Sequence, residues 1–181
     1  MIRHHWSLFL FFLTLSLPVQ VYAQQPDADP NANITSEFGF HLGNLLPAQI
    51  DGVTEIMPLW GLRGGYRMGQ GFVEFGGIGG NARGAEWTNL HLSLRADMPI
   101  EGLVGILYFG ADATQFKGAG KEKKIFGGGH VGGGLYANIS PTVWFRGEMK
   151  FNVNPGTSLY IGFGFVFRFQ GGGSGAGSPG T

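Results

Sequence analysis

His91-Leu92-Ser93 places a histidine and a serine two residues apart, which on an extended strand is the same face. A serine becomes a nucleophile when a neighbouring base takes its proton and a third group, commonly a carboxylate, orients that base. His91 and Ser93 are therefore the pair through which this chain could do acyl chemistry. A second stretch that draws attention is IFGGGHVGGGLY, 125–136, with six glycines around His130. A phosphate-cradling loop needs a lysine and a helix after its glycines, and neither follows here. His41, His91 and His130 lack ligand-like spacing, so no metal and no other cofactor is expected.

The segment that carries His91 and Ser93 alternates strictly. Leu90, Leu92, Leu94 and Ala96 take one parity, and Asn89, His91, Ser93, Arg95 and Asp97 take the other. The same period recurs at 34–46, where Ile34, Phe38, Phe40 and Leu42 oppose Glu37 and His41. At 143–153, Val143, Phe145, Met149, Phe151 and Val153 oppose Trp144, Arg146, Glu148, Lys150 and Asn152. No segment shows convincing helical periodicity. Further strands are expected at 55–68, 72–80, 103–114, 125–138 and 157–169, making eight. The strand at 103–114 is apolar on both parities, which leaves its facing open. The connections roughly alternate long and short, as in an up-and-down meander.

Residues 1–23 have Arg3, an apolar run and a small-residue ending in Ala23, the pattern of a signal peptide. The polar 24–33 is expected to be a disordered leader, 34–170 the barrel, and 171–181 a flexible Gly/Ser-rich tail. There is no cysteine, so neither a disulfide nor a lipid-bearing cysteine is available. Twelve basic and twelve acidic residues cancel, and nothing points to nucleic acid. A soluble barrel would need its outer face solvated along every strand, yet the polar face here has few charges and many glycines. The stripe Leu159, Ile161, Phe163, Phe165, Phe167 and Phe169 is better explained by lipid.

The signal peptide, the eight alternating segments and the closing pattern of Tyr160 followed nine residues later by Phe169 resemble the small eight-stranded outer-membrane barrels of the OmpA/OmpX type, over 34–169. The resemblance implies an all-β fold, an eight-stranded antiparallel up-and-down transmembrane β-barrel with a polar, plugged lumen. It also implies an outer-membrane location with both barrel termini periplasmic, contact with outer-membrane lipid and lipopolysaccharide, and an insertion signal at Tyr160, Phe167 and Phe169 for the barrel-insertion machinery. The role expected is structural or surface-interacting, without catalysis and without a specific protein partner that the residues identify. His91-Leu92-Ser93 is itself similar to the His-x-Ser of outer-membrane lipid A deacylases, although Leu94 stands where that family has asparagine. With the leucines outward, the pair faces the lumen. A small low-conductance pore is the transport alternative.

An eight-stranded barrel is just wide enough inside for side chains to fill it, so long charged residues need small neighbours. Glu37, His41, Arg63, Arg67, Glu74, His91, Arg95, Asp97, His130, Arg146, Glu148, Lys150 and Arg168 supply the plug. A turn at Gln70-Gly71 would place Arg67 opposite Glu74. Matching Ala137 to Val143 would set Gly134 opposite Arg146, Gly132 opposite Glu148 and His130 opposite Lys150. Matching Val153 to Thr157 would set Gly164 opposite Arg146 and Gly162 opposite Glu148. Glu37 and Arg168 are candidates to pair across the seam. Among the connections, QFKGAGKEKK at 115–124 carries Lys117, Lys121, Lys123 and Lys124, a basic loop suited to an anionic lipopolysaccharide surface.

Overall fold

Eight strands alternate apolar and polar residues over lengths that cross a bilayer, and each forms in the computed structural model, which describes residues 33–171 apart from 49, 51, 52 and 54. The expected signal peptide, all but the last residue of the leader and all but the first residue of the tail lie outside the described residues. The strands are β1 (Ile34–Pro47), β2 (Met57–Met68), β3 (Gly71–Ala82), β4 (Ala85–Ile100), β5 (Leu103–Lys117), β6 (Lys124–Asn138), β7 (Val143–Asn152) and β8 (Ser158–Gln170). Every neighbouring pair is antiparallel, and β1 closes on β8. Closure leaves no strand edge unpaired, the condition for a sheet to sit in hydrocarbon.

The two parities separate as the alternation requires. Phe40, Leu92, Phe109 and Phe163 point outward and are 40%, 57%, 60% and 53% exposed, while Glu37, Arg95 and Arg146 are buried inside. β5 also resolves: Val104, Ile106, Tyr108, Asp112, Thr114 and Phe116 face the lumen, and Leu107 and Phe109 face out. Ile34 departs from the expected parity. The β1–β8 register shifts between Ile34 and Ser36, and that irregularity turns Ile34 inward.

Two hairpin registers differ from expectation, each by two residues. In β2–β3 the turn is Gly69-Gln70, with Gly69 at φ 62°, so Arg67 lies opposite Phe72 and Glu74 opposite Gly65. In β6–β7, Val143 N donates to Ser140 O and Ile139 N to Val143 O, which closes the turn later in the chain. Tyr136 therefore faces Arg146, Gly134 faces Glu148, Gly132 faces Lys150 and His130 faces Asn152. Side-chain period two fixes which face is buried, but registers two apart present the same faces. β7–β8 has the expected register, with Gly164 opposite Arg146 and Gly162 opposite Glu148.

Candidate functional site

The lumen is layered. At the end that carries the chain termini, Val104, Ile106, Tyr108, Tyr136, Trp144 and Val166 form an apolar cluster. At the opposite end a second cluster, including Leu45, Ile50, Met57, Leu59, Ile78, Trp87, Phe116 and Tyr160, seals the barrel. The charged residues lie between. Neither layer follows from the outward stripes; both come from apolar residues at the strand ends that share the lumen parity.

Four arginines hold the carboxylates. Arg95 donates from Nε to Asp97 Oδ1 at 2.7 Å, from Nη1 to Glu74 Oε2 at 2.7 Å and from Nη2 to Glu37 Oε2 at 3.0 Å. Arg146 reaches Glu74 Oε2 and Glu148 Oε2, each at 2.6 Å. Arg63 pairs with Glu148, reaches Glu74 at 3.3 Å and donates from Nε to His41 Nδ1 at 2.9 Å. Arg168, on β8, is opposite Glu37 in the β1–β8 seam; its Nε is 3.3 Å from Glu37 Oε2 and its Nη2 is 3.0 Å from Asp97 Oδ2. The Tyr136 hydroxyl accepts from Arg95 at 2.9 Å and Arg146 at 2.8 Å and donates to Glu37 at 3.1 Å. The guanidiniums also stack: Arg95 lies 4.3 Å from the Phe72 ring centroid and Arg168 4.2 Å from that of Tyr136.

The lumen set is electrically balanced. Arg63, Arg95, Arg146, Arg168 and Lys150 supply five positive charges, and Glu37, Glu74, Asp97, Asp112 and Glu148 supply five negative ones. Arg67, expected in this set, is only half-buried near the turn; it stacks on Phe72 and donates from Nε to Gly69 O at 3.2 Å. Asp112, Tyr108, Tyr136 and Thr114 were not anticipated, and Asn89, expected on the polar face of its strand, was not counted in the plug. Their signal was present in β5, where Tyr108, Asp112 and Thr114 share one parity even though apolar residues occupy both.

The serine has a different base from the one expected. Ser93 Oγ is 2.9 Å from His130 Nε2, and His130 Nδ1 is 3.0 Å from Asp112 Oδ2. His91 stands beside them, 5.8 Å from His130 between ring centroids, with its Nδ1 unpartnered among the described residues. The order serine, histidine, aspartate is that of an acyl-transfer relay. Chemistry also needs room, and Ser93 is 1% exposed. The void in the lumen core measures about 10 Å³, is lined by His41, His91, Tyr108 and Lys150 among others, and does not include Ser93. That is space for about one water molecule. The hydrogen-bonded chain therefore lies in the packed part of the lumen, away from that void. Among the described residues no three His, Asp or Glu side chains are grouped to hold a metal.

On β8, Tyr160 faces the lumen within the sealing cluster, whereas Phe167 and Phe169 face outward. At the sealed end, Lys117 and Lys123 approach Glu86 at 3.1 and 3.4 Å. The Lys117 hydrogen bond, with the charges of both lysines, lowers the Glu86 carboxyl below its ordinary range.

No protein-family model and no curated protein sequence matches the chain. Solved structures do match. The chain is similar to the N-terminal β-barrel domain of OprF from Pseudomonas aeruginosa, at 12% identity and a TM-score of 0.59, over 75% of this chain and 98% of that one. It is similar to Neisserial surface protein A at 11% identity and a TM-score of 0.62, over 76% of this chain and 98% of that one. A de novo designed transmembrane β-barrel matches at 11% identity and a TM-score of 0.53, over 75% and 95% of the two chains. The fold of this chain is that of the small eight-stranded outer-membrane β-barrels.

Proposed function

We propose that the protein is an integral outer-membrane barrel with a closed lumen, whose role is structural or surface-interacting and not catalytic. The carrying observation is the plug: five positive and five negative side chains interlocked around a void of about 10 Å³, capped by apolar side chains at both ends. In this reading the short turns at 69–70, 101–102 and 139–142 and the chain termini are periplasmic. The connections at 118–123 and 153–157 then meet the lipopolysaccharide side, and the outward Phe167 and Phe169 of β8 serve the insertion machinery.

Refolded protein is expected to migrate differently on gels before and after heating, and to give no sustained single-channel steps in planar bilayers. Extraction as a soluble periplasmic protein would overturn the membrane reading, and steady unitary conductance would replace the closed barrel with the pore. Lipid A whose acylation changes with the gene product would bring back the deacylase.

A further inference from the structure

At the end of the barrel that carries the chain termini, a depression of about 410 Å³ lies in the mouth between the 101–102 and 139–142 turns. Ile34, Val104 and Trp144 supply apolar lining, Asn138 and Gln170 supply polar side chains, and none of the described lining residues is charged. Trp144 is buried, and its Nε1 has no hydrogen-bond partner among the described residues. Asn138 donates from Nδ2 to Ser140 O at 3.1 Å, which leaves its Oδ1 for another contact. On the outward face a groove of about 570 Å³ adjoins this mouth. Leu103 borders both, Ala137 and Phe145 line the groove, and their chain neighbours Asn138 and Trp144 line the mouth. The groove runs over β6 and β7 between the exposed Leu135, Met149 and Ile161, with Gly147 among its lining. Gly147 has the outward parity, opposite Leu135 on β6 and Phe163 on β8, and a Cβ there would meet nothing nearer than the Phe145 ring at 4.0 Å. A polar, uncharged mouth thus passes over the rim at Leu103 into a trough in the hydrocarbon-facing surface.

Each half limits the occupant. Inside a bilayer there is no water to expel, so a ligand in the trough is held by van der Waals contact with a surface that fits it, and a flexible hydrocarbon chain fits a trough. The mouth adds an indole N–H and two amide side chains, which suit ester and phosphodiester oxygens and do not select for net charge. Each volume falls within the ~300–1,000 Å³ usual for small-molecule sites, and barrel mouths are among the places where such sites occur. A soluble ligand would leave the trough unused, a bare alkane would leave the indole without a partner, and a second barrel would cover the trough from the side and leave the mouth. We propose that mouth and groove together bind one phospholipid of the bilayer, its glycerol ester region at Trp144 and Asn138 and one acyl chain along Gly147. The inference rests on the membrane reading and adds to it a defined lipid site.

The test is a titration of isotope-labelled barrel in dodecyl maltoside micelles with dioleoyl phosphatidylcholine, read by NMR. Saturable amide shifts at Leu103, Gly133 and Gly147 are expected, together with a downfield movement of the Trp144 Nε1–H resonance, whereas hexadecane should move the glycines and not the indole. Gly147→Phe fills the trough and should weaken lipid affinity at least fivefold. Gly127→Phe, also outward and with nothing within 4 Å of its Cβ position but near the opposite end of β6, should leave affinity unchanged. Shifts spread evenly over outward positions such as Leu92 and Leu94, a stationary indole, or an unaffected Gly147→Phe variant would overturn the proposal. Glycine shifts that follow barrel concentration and not lipid would assign the trough to a second copy and overturn it equally. Heat-modifiable migration of each sample keeps the failures apart, because a folded barrel without a saturable lipid site sinks this inference and leaves the membrane reading standing.

Discussion

Glu148→Gln is the most discriminating change to the plug. Glu148 accepts from Arg63 Nη1 at 3.0 Å, from Arg146 Nε at 3.0 Å and Nη2 at 2.6 Å, and from the Tyr108 hydroxyl at 3.0 Å. The substitution leaves five buried positive charges facing four negative ones. Removing one partner of a buried pair costs ~3–5 kcal/mol, because the remaining charge stays desolvated. Arg146 retains Glu74 at 2.6 Å and Arg63 retains it at 3.3 Å, so the lower end of that range is expected. Glu55→Gln is the comparator, since Glu55 and Arg83 pair at 2.7 Å with 42% and 82% of their side chains exposed. Exposed pairs of this kind contribute about 0–1 kcal/mol. Adding Arg63→Gln to Glu148→Gln restores the balance at four and four, and the double variant should lose less than the sum of the singles by roughly 1–3 kcal/mol. Reversible urea unfolding in phospholipid vesicles, followed by tryptophan fluorescence, measures the native protein, the two single variants, the double variant and Glu55→Gln. A Glu148→Gln loss no larger than that of Glu55→Gln, or strict additivity in the double variant, would refute the electroneutral-plug argument.

Gly134→Leu should abolish heat-modifiable folding, because a Cβ there would stand 2.9 Å from Glu148 Cα, whereas Gly127→Leu, with nothing within 4 Å of its Cβ position, should fold like the native protein. Gly120 is a poorer control than Gly127, since its φ of 71° makes any side chain strained. Arg83 and Gly84 both have positive φ, 44° and 83°, in the two-residue turn between β3 and β4. Arg83→Asn should therefore raise stability by about 1 kcal/mol in the same urea assay. Ser93 should resist a fluorophosphonate probe on the folded barrel and react no faster than in the His130→Ala variant; rapid, His130-dependent labelling would show that the lumen admits a substrate.

The strand count and nearly all of the facings were legible because one face of each strand meets hydrocarbon and the other meets a polar interior. Period two reports that contrast directly. Register was legible only modulo two. Arg67 and Glu74 share a face whether or not they are opposite, and the two-residue shift at Gly69-Gln70 is set by turn geometry that alternation does not encode. Ile34 was misassigned for a related reason, as an irregularity in the β1–β8 ladder reverses parity without a mark in composition. The plug members were largely visible as charges on the lumen parity. Of their pairings only Glu37 with Arg168, opposite each other in the β1–β8 seam, was legible; others cross the barrel, as Arg95 with Glu37 and Arg146 with Glu74 join strands that are not neighbours.

The same distinction explains the serine. A two-residue spacing suggested His91 as its base, but side chains of equal parity on one strand point the same way and stand side by side, while a neighbouring strand in a narrow barrel can aim a ring at the hydroxyl. β6 does so through His130, with Gly128 and Gly132 bracketing the ring by bare backbone on its own face. Asp112 then orients His130 from β5. In an enzyme such a chain ends at a cavity where the reacting carbonyl sits about 3 Å from both nucleophile and oxyanion donors. Here it ends against the neighbouring lumen side chains at the centre of β4, with Ser93 1% exposed. Three groups in the order of a catalytic relay thus satisfy one another's hydrogen bonds inside the packed lumen, and the reactivity of Ser93 towards the fluorophosphonate is what tells packing from chemistry.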